Sequence, residues 1–574
     1  MRWTALLLLI ALSADARQPV RSQKGMVVAQ EPHAADVGRD ILRSGGNAVD
    51  AAIAVALALA VTLPSAGNIG GGGFLVLRKA DGTSAFVDFR ERAPMRASRD
   101  MYLGKDGKLT RDNLVGWRAP GVPGTVRGME LLRQKYGTKK WAELMQPAID
   151  LAKKGFPVSY EFSNSLKSAG RMAPNTQGTS ALTASGVLTR FPDSKRIFLR
   201  DGTYYEPGET FVQPDLARTL ERIQKNGAKE FYEGETARIL AAEMAKNGGL
   251  ITAEDLKAYR AVERAPVTGR YRGMDIVTAT PPSSGGIGMV HMLAMLEGTG
   301  YEKGGAGSAG ELHWLAEVMR RFYADRGEYL GDPDFVKMPL RGLLSPAYIA
   351  KRRASIDPHK ATPSAQLGHG DPSLYESGET THFSIVDAQG NAVAMTYTLN
   401  GGYGSGVTVP GLGVLLNNNM DNFASQPGGA NAYGLIQGEA NAIQPGKRPV
   451  SSMSPTILSK DGKLLLVIGA PGGTRITTAV MQAILNVVDF GMNIQDAIDV
   501  PRIHHQWMPD QIFAERGISP DTVAVLRQMG HKVEANSTVG ALVVGIHVET
   551  DREGRRWLTG GWDARRGEGK ASGW

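Results

Sequence analysis

Apolar and polar positions alternate with a period of two along two adjacent stretches, Thr380 to Asp387 and Asn391 to Asn400, joined by Ala388-Gln389-Gly390. Two β-branched runs around a glycine-containing turn predict a β-hairpin. Pairing Asp387 with Asn391 sets the register and brings Thr380 opposite Thr398. On the returning strand Val393, Met395, Tyr397 and Leu399 then share one face, and Ala394, Thr396, Thr398 and Asn400 the other, because side chains alternate across a strand. Candidate chemistry collects on the polar face. A slip of one residue would exchange the faces, so every site assignment here depends on the register.

Helical periodicity dominates elsewhere. Ala34 to Arg43 is amphipathic and stops at Gly45-Gly46, and Asn47 with Asp50 three positions on makes a capping-box pattern for a second helix, Ala48 to Val61. That helix is apolar nearly all round, which predicts burial. Helical patterns broken by Pro and Gly recur over Thr125 to Lys154 and Pro214 to Arg260. Phe74 to Leu77, Val414 to Leu416 and Leu464 to Ile468 read as strands, the latter two in the core, and a helix from about Thr477 to Phe490 follows Pro471-Gly472-Gly473. Gly298 to Gly310 and Ile356 to Glu379 read as loops, and the second runs straight into the hairpin.

Composition removes several function classes. The formal net charge is +8, but Lys and Arg are spread among Asp and Glu, with no basic run interleaved with aromatics. A nucleic-acid partner is therefore not expected. The chain has no cysteine, which excludes thiol catalysis and cysteine zinc sites, and at 574 residues it can bury enough surface to need no disulfides. His504-His505 would point to opposite faces of a strand and have no partner at ligand spacing, so surface or packing histidines are expected rather than metal ligands. The glycines at 70 to 73 precede a strand and lack the Lys-Ser/Thr of a phosphate loop, so they predict close backbone packing. No Gly-x-Ser-x-Gly elbow occurs. At the N-terminus, Met1-Arg2-Trp3-Thr4, the apolar run Ala5 to Leu12 and Ser13-Ala14-Asp15-Ala16 have the layout of a secretory leader, residues 1-16, with cleavage after Ala16 and a periplasmic mature protein. The apolar run is far short of the ~20 residues that span a bilayer, so no stable membrane span is expected.

Thr380 stands out by its position where the long loop meets the strand. A hydroxyl is a poor nucleophile at neutral pH, and an α-amino group, with a pKa near ~8, can act as the base for its own residue. Cutting between Glu379 and Thr380 would supply both groups at once. By pattern alone, a loop feeding an ordinary hairpin with strand threonines is the preferred reading. At Pro471-Gly472-Gly473, likewise, backbone N–H groups could face a developing oxyanion or simply make a strand-to-helix turn.

Thr380-Thr381-His382-Phe383-Ser384, Thr396-Tyr397-Thr398-Leu399-Asn400, Ser451-Ser452-Met453-Ser454-Pro455 and Pro471-Gly472-Gly473-Thr474-Arg475 resemble, in order and spacing, the signature blocks of the γ-glutamyltranspeptidases. Asn68 to Phe74 and Asp88-Phe89-Arg90-Glu91 extend the resemblance, which runs from about Lys24 to near the C-terminus. It implies an α+β fold, a four-layer αββα sandwich of the N-terminal-nucleophile hydrolase type. It also implies self-cleavage into a large subunit, 17-379, and a small catalytic subunit, 380-574, intertwined in one unit. Thr380 then matches the nucleophile, Thr398 its supporting hydroxyl, and Gly472 and Gly473 the oxyanion amides. Arg90, Ser451 and Ser452 match the holders of the substrate α-carboxylate, Asn400, Asn419 and Asn422 the surroundings of its α-amino group, and Tyr433 a lid.

The implied activity is γ-glutamyl transfer from glutathione and related amides, through an acyl-enzyme, to water, amino acids or peptides, without metal or organic cofactor. A glutaryl-type (cephalosporin) acylase on the same scaffold and an uncleaved secreted binding protein are the alternatives. One block departs from the family pattern Asn-Asn-Gln/Glu-Met-Asp-Asp-Phe, since here it reads Asn417-Asn418-Asn419-Met420-Asp421-Asn422-Phe423. A neutral amide at 422 keeps an acceptor for an ammonium but loses the charge, and spares glutaryl substrates an unpaired carboxylate. That predicts measurable glutaryl-amide hydrolysis, with selectivity restored by Asn422→Asp, unless Asp421 or a distant acid supplies the charge.

Overall fold

Two seven-stranded antiparallel sheets lie at the centre of the computed structural model, which describes residues 17–170, 186–370, 381–426, 438–565 and 567–574. Their strands are β1 (Val20–Ser22), β2 (Met26–Ala29), β3 (Gly72–Arg78), β4 (Ser84–Asp88), β5 (Val262–Arg264), β6 (Val267–Tyr271), β7 (Met274–Thr278), β8 (Thr381–Val386), β9 (Ala392–Thr398), β10 (Thr456–Lys460), β11 (Lys463–Gly469), β12 (Val544–Thr550), β13 (Arg556–Trp562) and β14 (Lys570–Gly573). One sheet runs β14-β2-β8-β9-β3-β4-β5 and the other β1-β13-β12-β11-β10-β7-β6.

The expected hairpin is β8–β9, in the expected register. Thr381 pairs with Tyr397, Val386 with Ala392, and the Asp387 N–H donates to the Asn391 carbonyl at 3.0 Å. Because β2 flanks β8 and β3 flanks β9, the hairpin occupies the middle of its sheet and is buried on both faces. Phe383, Ile385, Val393, Met395 and Tyr397 face a layer of helices. Val386, Ala392 and Ala394 meet Val467, Val544 and Ile546 of the second sheet. The face with the polar positions thus points between two sheets, where a polar group must find a protein partner. His382 does so, with Nδ1 2.7 Å from Thr396 Oγ1 and Nε2 3.2 Å from Ser384 Oγ, and burial pushes its pKa down to about 3. Gly469 makes room for the ring, since a Cβ there would lie 2.4 Å from it.

Helices α1 (Pro32–Arg43) and α2 (Ala48–Thr62) cover the first sheet. Asn47 and Asp50 form the predicted capping box, and all 15 residues of α2 are buried. Over the second sheet lie α3 (Gly285–Leu296), α4 (Ala309–Tyr329) and α5 (Ile476–Val488), packed on Ile276, Leu458, Leu466 and Ile468. Burial of each such side chain contributes roughly 1.5–3 kcal/mol, which is what fixes the layers. Among the described residues, no helix is long and apolar enough to cross a membrane.

Several expectations change. Val414–Leu415 is buried but joins neither main sheet, pairing only with Thr408–Val409; an apolar run specifies burial without naming a partner strand. Gly298 to Gly310 contains a short helical turn, Tyr301–Gly304, and the start of α4. The described part of the loop leading to the hairpin is strapped to the body, with the Ala361 N–H on the Met529 carbonyl at 2.7 Å. The glycines at 70 to 73 do pack closely, for a Cβ at Gly73 would sit 2.4 Å from Tyr397 Cα.

Candidate active site

The site gathers at the open end of β8–β9. Thr380, the Glu379–Thr380 bond, the lid residue Tyr433 and the leader 1–16 lie outside the described residues. Thr381 is described, and its Oγ1 donates to Gln30 Oε1 at 2.8 Å. Thr398 follows Tyr397, the partner of Thr381, and its Oγ1 accepts the Asn400 N–H at 2.7 Å. Asn400 adopts a left-handed backbone, φ +75°, which asparagine tolerates better than most residues. Its Nδ2 donates to the Asn418 carbonyl at 3.1 Å, tying the hairpin end to the Asn417–Phe423 block.

Strand β11 ends at Gly469, and Pro471-Gly472-Gly473 turns the chain into α5. Gly472 (φ +136°) and Gly473 (φ +63°) both need glycine's conformational freedom, and a Cβ on Gly472 would lie 2.5 Å from Ala541 Cα. Neither amide donates to another backbone group among the described residues, so both suit the role of oxyanion donor. Gly472→Ala keeps the N–H but drives its Cβ into Ala541, so the turn must shift and kcat is expected to fall in protein that still matures. Steady-state kinetics beside a thermal melt check this; an unchanged kcat would free that amide of the role.

Arg90, Asn419, Asn422, Ser451 and Ser452 are brought together in one enclosed polar cluster, none more than marginally exposed. Arg90 Nε donates to the Pro449 carbonyl at 3.1 Å, Nη1 to Glu91 Oε2 at 3.1 Å and Asn419 Oδ1 at 2.9 Å, and Nη2 to Asn422 Oδ1 at 2.9 Å and the Val450 carbonyl at 3.4 Å. All five N–H donors of the guanidinium therefore meet protein acceptors. Asn419 Nδ2 donates to Glu91 Oε1 at 2.5 Å. Ser451 Oγ accepts the Met453 N–H at 3.2 Å, and Ser452 Oγ accepts from Arg326 Nη2 at 2.9 Å.

Three residues of this cluster, Glu91, Arg326 and Asn441, had no assigned role in the sequence, and a fourth, Asp421, stood only as an alternative source of the charge missing at 422. Burial raises the Glu91 carboxyl to about 7 against the pull of Arg90. Asp421, also buried, is raised by desolvation to about 7, with Asn400 drawing it down. Arg326 reaches Ser452 from α4, and Asn441 Nδ2 donates to the Asn422 carbonyl at 2.6 Å. Glu91 and Asp421 lie inside the polar blocks 88–91 and 417–423, where nothing in the sequence separates a buried carboxylate from an exposed one. Beside the cluster opens a cleft of about 610 Å³, lined among others by Gln30, Phe162, Asn400, Gly402 and Gly472. Water or an acceptor could reach the hairpin end through it.

The histidine pair is a correction in part. His504 and His505 are fully buried packing histidines, not surface ones, and an acidic partner exists, Asp510 Oδ1 at 3.4 Å from His505 Nε2. Burial still holds His505 down at about 4. The ligand atoms of His313, Glu317 and His531 lie within 4.8 Å of one another. Glu317 is engaged by Arg320 and Arg321, and Arg320 also approaches His531 at 3.4 Å, charges that oppose a cation there.

The model of the family described as Gamma-glutamyltranspeptidase matches residues 34–574. The glutathione hydrolase proenzyme of Escherichia coli (strain K12) is 48% identical over 92% of this chain and 89% of its own length. The Acylase ACY 1 proenzyme of Pseudomonas sp. (strain SE83) is 38% identical over 93% and 92%. Among solved structures, cephalosporin acylase from Bacillus halodurans superposes with a TM-score of 0.83 at 27% identity, covering 100% of this chain and 99% of that one. Fold and relatives define a hydrolase or transferase of the N-terminal-nucleophile class. The chain belongs to the γ-glutamyltranspeptidase family.

Proposed function

We propose that the chain is a γ-glutamyltranspeptidase and glutathione hydrolase, made as a precursor that cuts itself between Glu379 and Thr380. Residues 17–379 and 380–574 then form the large and small subunits of one αββα sandwich. The Thr380 hydroxyl attacks the γ-carbonyl of the substrate and gives its proton to its own α-amino group. The Gly472 and Gly473 amides stabilise the oxyanion, and the proton passes to the leaving amine as the amide C–N bond breaks. Water or an amino-acid amine then takes the acyl group from Thr380. Nucleophile, base and oxyanion donors are all protein groups, so this chemistry requires neither metal nor organic cofactor.

The observation that carries this reading is the convergence of Arg90, Asn400, Asn419–Asn422 and Ser451–Ser452, from distant parts of the chain, into one enclosed cluster beside the hairpin end. Such a cluster suits a small head group bearing both charges, such as the α-amino acid end of a γ-glutamyl compound. The 48% identity to a glutathione hydrolase proenzyme supports the same substrate class. A glutaryl-type acylase is the second reading, favoured by the Bacillus halodurans neighbour and by the neutral Asn422.

Purified protein assayed on γ-glutamyl and glutaryl p-nitroanilides separates the two. Faster γ-glutamyl turnover, accelerated by an added amino-acid acceptor, is expected; faster glutaryl turnover would make the acylase reading correct. A single uncut chain without turnover would leave a secreted binding protein. For residues 1–16 we propose a leader removed on export to the periplasm, and N-terminal sequencing of fractionated protein is expected to begin at Arg17.

A further inference from the structure

Among the described residues, Asn400 Oδ1, Asp421 Oδ2 and Asn422 Nδ2 are buried in this cluster without a hydrogen-bond partner. Two of them are acceptors, and one belongs to a carboxylate. Asp421 is 2% exposed, and its other oxygen accepts from Asn113 Nδ2 at 2.7 Å. No Lys, Arg or His among the described residues forms an ion pair with it, and only desolvation and Asn400 act on its titration. A carboxylate removed from water without a cation is costly, so the site is incomplete until a cation arrives. Asn422 cannot readily meet that need. A guanidinium only donates, so the Asn422 oxygen is the atom held on Arg90, and the atom left over is a donor, which would repel an ammonium.

We propose that the Asp421 carboxylate, with the unpartnered Asn400 Oδ1 as a second acceptor, is the anionic partner of the substrate's α-ammonium, while Asn422 stays bound to Arg90 and does not read the ammonium. This rests on the γ-glutamyl reading above. It assigns the ammonium to the first of the two acidic positions of the family pattern rather than the second, and so accounts for γ-glutamyl recognition with a neutral residue at 422. The bare methylene of a glutaryl group would leave Asp421 unpaired, which makes this carboxylate the specificity-determining group.

The test uses the mature enzyme and two substrates that differ only in the ammonium, γ-glutamyl and glutaryl p-nitroanilide. Asp421→Asn preserves shape and the acceptor for Asn113. It is expected to lower kcat/KM for the γ-glutamyl compound about ten- to hundredfold, chiefly through KM, and to leave the glutaryl compound unchanged or faster. Asn422→Asp is expected to move the ratio of the two by no more than a few fold. Equal losses on both substrates would show a structural role and overturn the proposal. So would a ratio indifferent to Asp421→Asn but raised by Asn422→Asp, which would place the reading at 422. Should Asp421→Asn not mature, Asp421→Ser is read in the same way, and failure of both to mature assigns Asp421 to the fold and rejects the proposal. If the parent enzyme does not turn over the γ-glutamyl compound at all, the function itself is misassigned, a result distinct from any of these.

Discussion

Thr380→Ala is expected to remain one full-length chain and to hydrolyse no γ-glutamyl amide. The same oxygen must first attack the carbonyl of Glu379, moving the chain from nitrogen to oxygen, before hydrolysis of that ester releases the α-amine that serves as base. Removing the hydroxyl therefore stops both maturation and turnover. Thr380→Ser keeps the oxygen and is expected to process, more slowly. Mass spectrometry after prolonged incubation reads the first effect and a γ-glutamyl p-nitroanilide assay the second. An alanine variant that still splits at this bond would mean that another protease makes the cut.

The second large effect is expected at Arg90, and the structure alters its character. From sequence, Arg90 is a substrate-carboxylate holder whose loss damages recognition more than folding. In the structure its guanidinium is fully enclosed and holds together Glu91, Asn419, Asn422 and the Pro449 and Val450 carbonyls. Arg90→Met leaves the Glu91 carboxylate buried without its cation, a change that typically costs about 3–5 kcal/mol. The variant is therefore expected to mature poorly and melt well below the parent, with loss of activity as a consequence. Glu91 gives the effect a pH signature. Its pKa, already raised to about 7, rises further without Arg90, and an acid that is harder to ionise folded than unfolded loses stability as pH climbs from about 4.5 through the folded value. The melting deficit is expected to be larger at pH 8 than at pH 5.5. Full maturation and a melt within about 2 °C of the parent at pH 8 would show that Arg90 serves recognition alone.

What the sequence determined by itself was local. The β8–β9 register follows from period-two alternation around a three-residue turn, and the start of α2 from the reciprocal Asn47–Asp50 cap, because both depend on residues within a few positions of one another. The signature blocks also named segments that the structure brings together, Arg90 with Asn419 and Asn422 and with the carbonyls just before Ser451. They could not say how those segments touch. Arg90 and Asn422, assigned through the resemblance to the α-carboxylate and the α-amino group of a substrate, are hydrogen-bonded to each other across 332 positions. Val414–Leu415 is the core strand its apolar run predicts, but its partner, Thr408–Val409 outside both main sheets, was not legible. His504 and His505 gain full burial from elements far away in the chain.

Only the tertiary structure decided that the polar face of β9 points between two sheets rather than to solvent, and that decision controls the chemistry. Exclusion of water between the sheets turns His382 neutral, burial in the cluster beside the hairpin end lifts Glu91 and Asp421 towards neutral pH, and both make an unmatched polar atom costly. Periodicity along a chain encodes which face is apolar. Which charges are left without water or a partner depends on packing between distant segments, and that becomes visible only when the layers close.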